Sequence, residues 1–338
     1  MHNTLQDQFL EAILARYPKR SVAVETLSEL LGTGKDAVYR RLRGDTLLTP
    51  NEMRLLARQF NISLDALIFD QSNIVCFSYN FFEQPIKDFR AYLDGILQYL
   101  EHTTQLPDAQ VYYASAEIPF FYYCFFPELI AFKLYVWGRT IWDLPYLRNR
   151  PFDFDLLPYA DLQLASKTLE LYRQLPSTEH WSMNLMDFTL SQIEYHVISG
   201  AFRNTADALR LCELLSELTQ HLQAMARHGR KFHHQAAPES GRADGFVLYH
   251  NEMVYSNNTI LVKTQGEKML FTTHGNPNFL RSTDQKICDY TEDWFLRMGR
   301  KSEQISAQSE KTRAWFFNVL KRRIEQTKSR IEHQILEG

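Results

Sequence analysis

Apolar side chains recur every three or four positions through the first seventy residues, a spacing that predicts short amphipathic helices. Glycine or proline stands at most of their predicted ends, where these residues commonly terminate or begin a helix. The pattern predicts five helices, over residues 6–17, 22–31, 34–43, from about 50 and from about 63. The third starts one turn after the second stops at Gly32, so these two are predicted to form a tightly joined pair.

Two short motifs predict where the third and fourth helices begin. Thr33-Gly34-Lys35-Asp36 and Thr49-Pro50-Asn51-Glu52 both have the order of a capping box, in which a threonine hydroxyl accepts from a backbone amide three residues on while the acid reaches back. A proline at the first helical position strengthens the second motif. Gly44 is placed to end the third helix in the left-handed conformation.

Positive charge is concentrated on the third helix. Between Thr33 and Gly44 four basic residues stand against one acid, a local net charge of +3, although residues 1–70 as a whole are balanced. A basic second helix in a tightly joined pair is typical of helix-turn-helix DNA-binding modules.

These features resemble the phage-repressor-like, or XRE-type, helix-turn-helix family. The resemblance rests on three segments with the family's joint spacing, residues 27–32 (LSELLG), 35–44 (KDAVYRRLRG) and 55–65 (LLARQFNISLD), and it covers about residues 5–69. It implies a DNA-binding domain over residues 1–70 whose third helix enters the major groove.

The resemblance also assigns roles to side chains of that helix. The DNA-contacting residues that it implies are Lys35, Asp36, Tyr39, Arg40 and Arg43. The first three would read base edges, the fourth would be a further reader, and the last, beside the helix end, would contact a phosphate. Alternatives are that Asp36 only caps its own helix, and that the module is structural with simply solvated charges. Arg41 is expected to face solvent or to pair with an acidic neighbour.

Residues 71–235 show longer helical patterns separated by prolines, which predict an irregular helical domain for dimerisation or sensing. The predicted helices span residues 84–102, 128–142, 159–174, 179–199 and 205–229, after a short extended segment at 74–79. Ten aromatic residues fall within residues 118–142, and aromatic rings bring large buried area. This segment is interpreted as core, with a pocket wall or a dimer surface as alternatives. Two prolines and a charge pair make its apolar part a poor membrane span.

Small and polar residues at 236–245 predict a linker, followed by a small C-terminal α+β unit over residues 246–338. Two hairpins are predicted in this unit, residues 246–250 with 253–256 and residues 259–263 with 268–273. A capping box at Ser282-Thr283-Asp284-Gln285 predicts a helix to about Met298, and a final helix follows over about 309–335.

The final helix is also basic, with seven basic residues against one acid between Lys311 and Arg330. Three interpretations are open: a solvated charged face, a second phosphate-contacting surface, or a pairing helix. The loop from His274 to Asn278, with Arg281 nearby, is a candidate for holding a small anion.

Composition narrows the class of protein. Apolar residues at 45%, charged residues at 23% and a net charge of −3 are typical of globular proteins. They exclude a disordered chain and a protein that coats polyanions with its whole surface. The four cysteines form no CxxC pair, which argues against a structural zinc site and predicts reduced thiols. Because the start of the chain lacks an apolar leader pattern, we expect a cytoplasmic protein.

Catalytic spacings are missing from the sequence. The motifs HExxH, GxSxG, GxGxxG and GxxxxGK[ST] do not occur. His228, His233 and His234 lie close together and could bind a metal, but histidines exposed at a domain junction explain them better. We therefore expect no catalytic residues, no metal and no cofactor.

Together these patterns predict a mainly α protein with a repressor-like helix-turn-helix bundle (1–70), a larger helical domain (71–235) and a small C-terminal α+β unit with antiparallel hairpins (246–338). We expect a transcription regulator that binds double-stranded DNA sequence-specifically as a homodimer, has a small-molecule effector and has no membrane partner. Two other classes stay open. One is a signalling or effector enzyme tethered to DNA, and the other is a protein-binding adaptor.

Overall fold

The computed structural model describes residues 4–60, 62–68, 74–79, 85–252 and 257–337. The chain divides into two compact units, residues 1–77 and residues 78–338. The first unit is built of helices around a small apolar core, and the second combines helices with a sheet.

The first unit contains five helices in its described residues, as the apolar spacing predicts. They are α1 (Leu5–Leu14), α2 (Arg20–Leu31), α3 (Lys35–Leu42), α4 (Pro50–Gln59) and α5 (Leu64–Ile68). The capping box at Thr49 is confirmed, and Thr4 with Asp7 forms a second one that starts α1. Gly32 and Gly44 take left-handed backbone angles, φ 60° and 77°, which glycine adopts without steric cost. Both helix ends are therefore set by the local sequence.

The capping box predicted at Thr33 is wrong. Gly34 is the N-cap of α3, and the helix has no side-chain cap. The Thr33 hydroxyl is buried and has no hydrogen-bond partner among the described residues. The turn between α2 and α3 is so short that Thr33 belongs to the end of α2, where its backbone N–H bonds to the Ser28 carbonyl at 3.1 Å.

A mixed sheet runs through the second unit. In the described part of the chain it has seven strands in the order β6-β5-β4-β1-β2-β3-β7. The strands are β1 (Gln110–Ser115), β2 (Ser177–Trp181), β3 (Phe246–His250), β4 (Thr259–Lys263), β5 (Lys268–Thr273), β6 (Phe279–Ser282) and β7 (Glu303–Gln304). The strands β1, β2 and β3 are parallel to one another, with Val111 opposite Ser177 and Ser177 opposite Phe246, and the other pairings are antiparallel.

Helices connect and cover these strands. They are α6 (Phe89–Gln105), α7 (Phe120–Tyr123), α8 (Pro127–Thr140), α9 (Tyr159–Gln174), α10 (Asp187–Ile198), α11 (Ala206–His228), α12 (Gln285–Arg300) and α13 (Glu310–Glu337). The connections from β1 to β2 and from β2 to β3 both pass through helices, as parallel strands require.

The prediction of a mainly α fold with a small hairpin unit is wrong, because the second unit is α/β. Strands β1 and β2 lie within residues 71–235, the stretch interpreted as entirely helical, and they pair directly with β3 and β4 from the C-terminal part. The helix predicted over residues 179–199 begins only at Asp187, and its first part is β2. The polar residue Glu179 made the sequence of β2 resemble the start of an amphipathic helix. In the structure its side chain is fully buried, so the polar position does not mark a surface.

The two predicted hairpins have different outcomes. The pairing of residues 259–263 with 268–273 is confirmed as β4 and β5. Strand β3 instead lies between β2 and β7, and its predicted partner, residues 253–256, falls outside the described residues. The capping box predicted at Ser282 is also wrong, because Asp284 caps α12 and accepts from the Ile287 backbone N–H.

The aromatic segment at residues 118–142 lies in the core of the second unit, as expected. Tyr122, Tyr123, Phe132 and Tyr135 are completely buried. Among the described residues, no helix has the length and apolar character needed to cross a bilayer.

Candidate nucleic-acid interface

The turn between α2 and α3 joins the two helices through three residues, Gly32, Thr33 and Gly34. The Ser28 hydroxyl donates to the Thr33 carbonyl, and the Gly32 backbone N–H donates to the Glu29 carbonyl at 3.3 Å. The second bond satisfies a carbonyl left open at the end of α2, and the first ties the turn residue Thr33 back to that helix. They also fix the direction in which α3 leaves the turn.

One apolar face of α3 anchors it to the small core. Val38 is 1% exposed, and Ala37 and Leu42 are half-buried beside it. The rest of the helix surface is left to polar and charged side chains, as in an amphipathic helix that packs on one side only.

A buried glutamine ties the end of α3 to α1. The Gln6 amide nitrogen donates to the carbonyl oxygens of Arg41 and Thr46 at 2.9 and 3.0 Å, and its oxygen accepts from the Leu48 backbone N–H at 2.6 Å. Gln6 is 5% exposed, so its removal would leave these backbone groups buried without partners. The loop after α3 is therefore fixed by a side chain 35 residues earlier in the sequence.

A half-buried ion pair ties α3 to α4. Arg41 lies 2.7 Å from Glu52 and also donates to the Ala37 carbonyl at 3.1 Å. Burial raises the pKa of Glu52, but hydrogen bonds from Thr49 and Arg41 outweigh it and hold that pKa below its ordinary value. The expectation that Arg41 pairs with an acid is confirmed. Arg41 is thus a structural residue and not part of the exposed face.

The other polar residues of α3, together with Arg43 directly after it, form one exposed surface, which we call the α3 face. Its members are the five residues that the resemblance implies, Lys35, Asp36, Tyr39, Arg40 and Arg43, and all five are exposed. Spacings of three and four residues bring Asp36, Tyr39, Arg40 and Arg43 onto neighbouring positions of the helix. The face carries three cations, one acid and an aromatic ring that is 37% exposed.

Two of the cations make local ion pairs. Lys35 lies 2.6 Å from Glu25 on α2, and Arg43 lies 2.9 Å from Asp45 in the following loop. The hydrogen bond and charge of Glu25 raise the pKa of Lys35, so this side chain stays cationic. Both pairs are more than half exposed to solvent, where ion pairs are weak and screened by salt. A phosphate or a base edge can therefore replace either carboxylate.

Asp36 does not act as a helix cap. Helix α3 has no side-chain cap, which removes the capping alternative for this residue. The carboxylate stands in the first turn, where the helix dipole favours negative charge. It is exposed beside the cations of the α3 face and is available to accept a hydrogen bond from a base.

The second basic helix, α13, has a different environment. Arg323 pairs with Asp187, Lys328 with Glu213 and Arg330 with Glu194, at 2.8 to 3.0 Å. These acids belong to α10 and α11 of the same unit. Basic residues of α13 thus form ion pairs with neighbouring helices of the same unit.

The histidine cluster considered in the sequence does not form a metal site. Among the described residues, no group of three or more histidine, cysteine or carboxylate side chains is arranged to hold a metal ion. The rings of His233 and His234 instead contact Phe125 and Phe126, and both histidines lie near His221. This contact relates residues that are about a hundred positions apart, so spacing in the sequence could not reveal it.

A polar cavity of about 330 Å³ lies at the carboxyl ends of β1, β2 and β3, an edge where α/β proteins commonly bind ligands. Its two acids already have partners. Asp187 accepts from Arg323 at 2.8 Å, and Glu252 accepts from the Met183 backbone N–H at 2.5 Å and pairs with His250 at 3.1 Å. Both acids of this cavity are therefore already engaged in contacts within the second unit.

Sequence reasoning missed two residues of the α3 region. Gln6 was counted simply as the start of the first helix, and Glu25 was not considered. A polar residue at a core-facing position of α1 was the available signal for Gln6, whereas only the fold brings Glu25 next to Lys35. Comparison with protein-family models, curated proteins and solved structures finds no match for this chain.

Proposed function

We propose that the protein is a sequence-specific DNA-binding transcription regulator in which α3 is the recognition helix. The observation that carries the proposal is the exposed, net positive α3 face on a helix that Val38, Gln6 and Arg41 hold rigidly. A helix of this kind fits the major groove, where its exposed side chains meet base edges.

Each residue of the α3 face has a chemical role in this proposal. Arg40 can donate two hydrogen bonds to a guanine, Lys35 can donate to guanine oxygen or nitrogen, and Asp36 can accept from a cytosine amine. The Tyr39 ring can contact a thymine methyl group or donate its hydroxyl to an acceptor. Arg43, beside the helix end, binds a phosphate and sets the register.

The rest of the proposal concerns assembly and place of action. Helix α3 is only eight residues long, and one such helix reads few bases, so we propose a homodimer that binds two half-sites about 34 Å apart. The operator is then pseudo-palindromic. We propose a cytoplasmic location, because Cys124, Cys212 and Cys288 are buried and form no disulfide among the described residues, as is usual for proteins of reducing compartments.

The test is selection of bound fragments from a random duplex pool with the full chain, followed by affinity measurements on the enriched duplex. The double variant Lys35→Ala/Arg40→Ala should bind that duplex more weakly by about 1000-fold or more, since a homodimer loses two base contacts in each half-site and each contact contributes roughly 1–3 kcal/mol. Its thermal unfolding should be unchanged, because both side chains are exposed.

A matched control separates base reading from overall charge. Lys328→Ala/Arg330→Ala removes the same two positive charges from α13, and we expect its affinity to stay within about threefold of the parent chain. An enriched duplex without two-fold symmetry would contradict the homodimer. Failure to enrich any sequence, or equal loss in both double variants, would contradict sequence-specific reading by α3.

A further inference from the structure

The second unit contains a cavity of about 360 Å³ between α6 and one face of the sheet. Its walls come from α6, from β1, β4, β5 and β6, and from α7 and α9. The volume lies within the range of small-molecule sites and corresponds to roughly a dozen water volumes. A ligand with about a dozen non-hydrogen atoms would therefore fill it.

Aromatic rings dominate the lining of this cavity. Eight aromatic side chains of the described residues face it, among them Phe120, Phe121 and Phe271, and Phe121 stacks on Tyr172 with ring centroids 3.9 Å apart. Such a wall favours a flat or branched apolar body through edge and stacking contacts.

One cation lies in this apolar lining. The Arg281 guanidinium sits 5.8 Å from the centre of the Tyr99 ring, and no carboxylate in the described chain forms an ion pair with it. The side chain is half-buried, so its charge is only partly solvated. A single guanidinium matches a single carboxylate, which it can bind through two parallel hydrogen bonds. A second ligand charge would be left unpaired in an apolar site.

Gly95 of α6 shows that open space reaches the helix backbone. It lines the cavity, and a Cβ atom built on it would meet no other heavy atom within 4 Å. Glycine within a helix costs roughly 0.5–1 kcal/mol relative to alanine. The backbone angles of Gly95 do not require glycine, and the missing side chain leaves room at the cavity wall.

We propose that this cavity binds a small monocarboxylate with an apolar, preferably aromatic, body, whose carboxylate pairs with Arg281. The loop at residues 274–278, the sequence-based candidate for holding an anion, contributes mainly through structure. Its Asn276 amide donates to Glu117, and its Asn278 oxygen accepts from the Trp142 indole at 3.1 Å.

The position of Arg281 suits a signal input, a role that rests on the proposed function. Its backbone N–H and carbonyl exchange hydrogen bonds of 2.9 and 2.7 Å with Ser78, the residue at which the chain enters the second unit. A ligand on Arg281 is thus one backbone pair away from the segment that leads to the DNA-binding unit. Bound ligand should change operator affinity by about fivefold or more.

The binding test uses the full chain without DNA, so its result does not depend on the proposed function. Calorimetry would compare 3-phenylpropanoate, indole-3-carboxylate and octanoate with their neutral amides. At least one carboxylate should bind with a Kd below 1 mM, about tenfold or more tighter than its amide. Arg281→Gln should remove that preference while leaving amide binding, and Arg281→Lys should retain part of it.

Substitutions at Gly95 provide the steric control. They test the site even if the Arg281 variants fold poorly. Gly95→Phe should fill the cavity and abolish binding of acid and amide alike, whereas Gly95→Ala should bind as the parent chain does. Absence of binding by all three carboxylates, or binding that survives Gly95→Phe, would overturn the site. Tight binding with unchanged operator affinity would overturn only its role as a signal input.

Discussion

The two basic helices of this protein, α3 and α13, start from similar sequence patterns and reach different surfaces. Four basic residues stand against one acid between residues 33 and 44, and seven against one between residues 311 and 330. In α3 the three cations outside the Arg41–Glu52 pair are exposed. In α13 three cations reach acids on α10 and α11, and a fourth, Arg313, is 6% exposed and donates to the backbone carbonyls of Ile305 and Gln308.

The apolar faces of the two helices also differ, and α13 again makes the more extensive contact with its own unit. Helix α13 is anchored by five completely buried side chains along its length, Phe316, Phe317, Leu320, Ile324 and Ile331. Helix α3 has only Val38 buried to that degree. A long apolar seam lets cations of α13 reach acids on α10 and α11, while the short anchor of α3 leaves its cations at the surface, where Lys35 and Arg43 form only exposed pairs. Charge counted along a sequence does not separate these cases, because the partner acids are distant in the chain.

The largest effect should come from breaking the seam of α13. Phe317→Ala removes a completely buried ring, which typically costs about 3–5 kcal/mol of unfolding free energy. All five tryptophans lie beyond residue 130, so urea unfolding followed by tryptophan fluorescence reports on the second unit. Trp315→Ala on the same helix is the control, since that side chain is 49% exposed and its loss should cost no more than about 1 kcal/mol. Equal costs for the two variants would mean that the seam does not anchor α13.

Acidification should destabilise the second unit more than the first, and the loss for each histidine should be somewhat smaller than the loss caused by Phe317→Ala. Burial lowers the pKa of His180 and His221 to about 4, well below the ordinary 6.5. The unfolded chain therefore takes up these protons first, and stability present above pH 6.5 is lost as the pH falls toward 4. At pH 5 each histidine should reduce the unfolding free energy of the second unit by about 2 kcal/mol.

The first unit gives the internal comparison for this pH effect, because His2 is its only histidine. Hydrogen exchange at pH 7.5 and pH 5 should show weakened protection in the second unit and little change in α1 to α4. His180→Phe, which keeps a ring between Tyr249 and Phe295, should reduce the loss of unfolding free energy between pH 7.5 and pH 5 by about 2 kcal/mol. A parallel loss of protection in both units would contradict burial of these histidines as the cause.

The comparison also explains which parts of the fold could be predicted. The helices of the first unit follow from local signals, such as the Thr49 capping box and the left-handed Gly32 and Gly44, whose physics acts within a few residues. Strand β2 could not be found in that way. Its buried Glu179 accepts from the hydroxyls of Tyr122 and Tyr172, and these contacts exist only once the sheet and its helices have assembled.

The candidate site divides along the same line. The exposure of the α3 face follows from helical spacing and local charge, whereas the roles of its five residues come only from the resemblance and stay a prediction. The cavity beside Arg281 could not be predicted, since its walls come from seven separate elements between residues 78 and 281. Arg281 and Gly95 are 186 positions apart, and no pattern along the chain relates them.

The smallest expected effect is a change in the salt dependence of DNA affinity. It is measured for one arginine substitution on each of the two helices. Each phosphate neutralised by a protein cation contributes nearly one unit to the slope of log affinity against log salt concentration. Arg43→Ala on the α3 face should lower that slope by about 0.9 per bound half-site, because we assign Arg43 to a phosphate. Arg323→Ala on α13 removes the same charge from a residue paired with Asp187 and should leave the slope unchanged. Measurements of fluorescence anisotropy on the selected duplex from 50 to about 200 mM salt would decide, because equal slopes for the two variants would mean that α3 and α13 meet DNA alike or not at all.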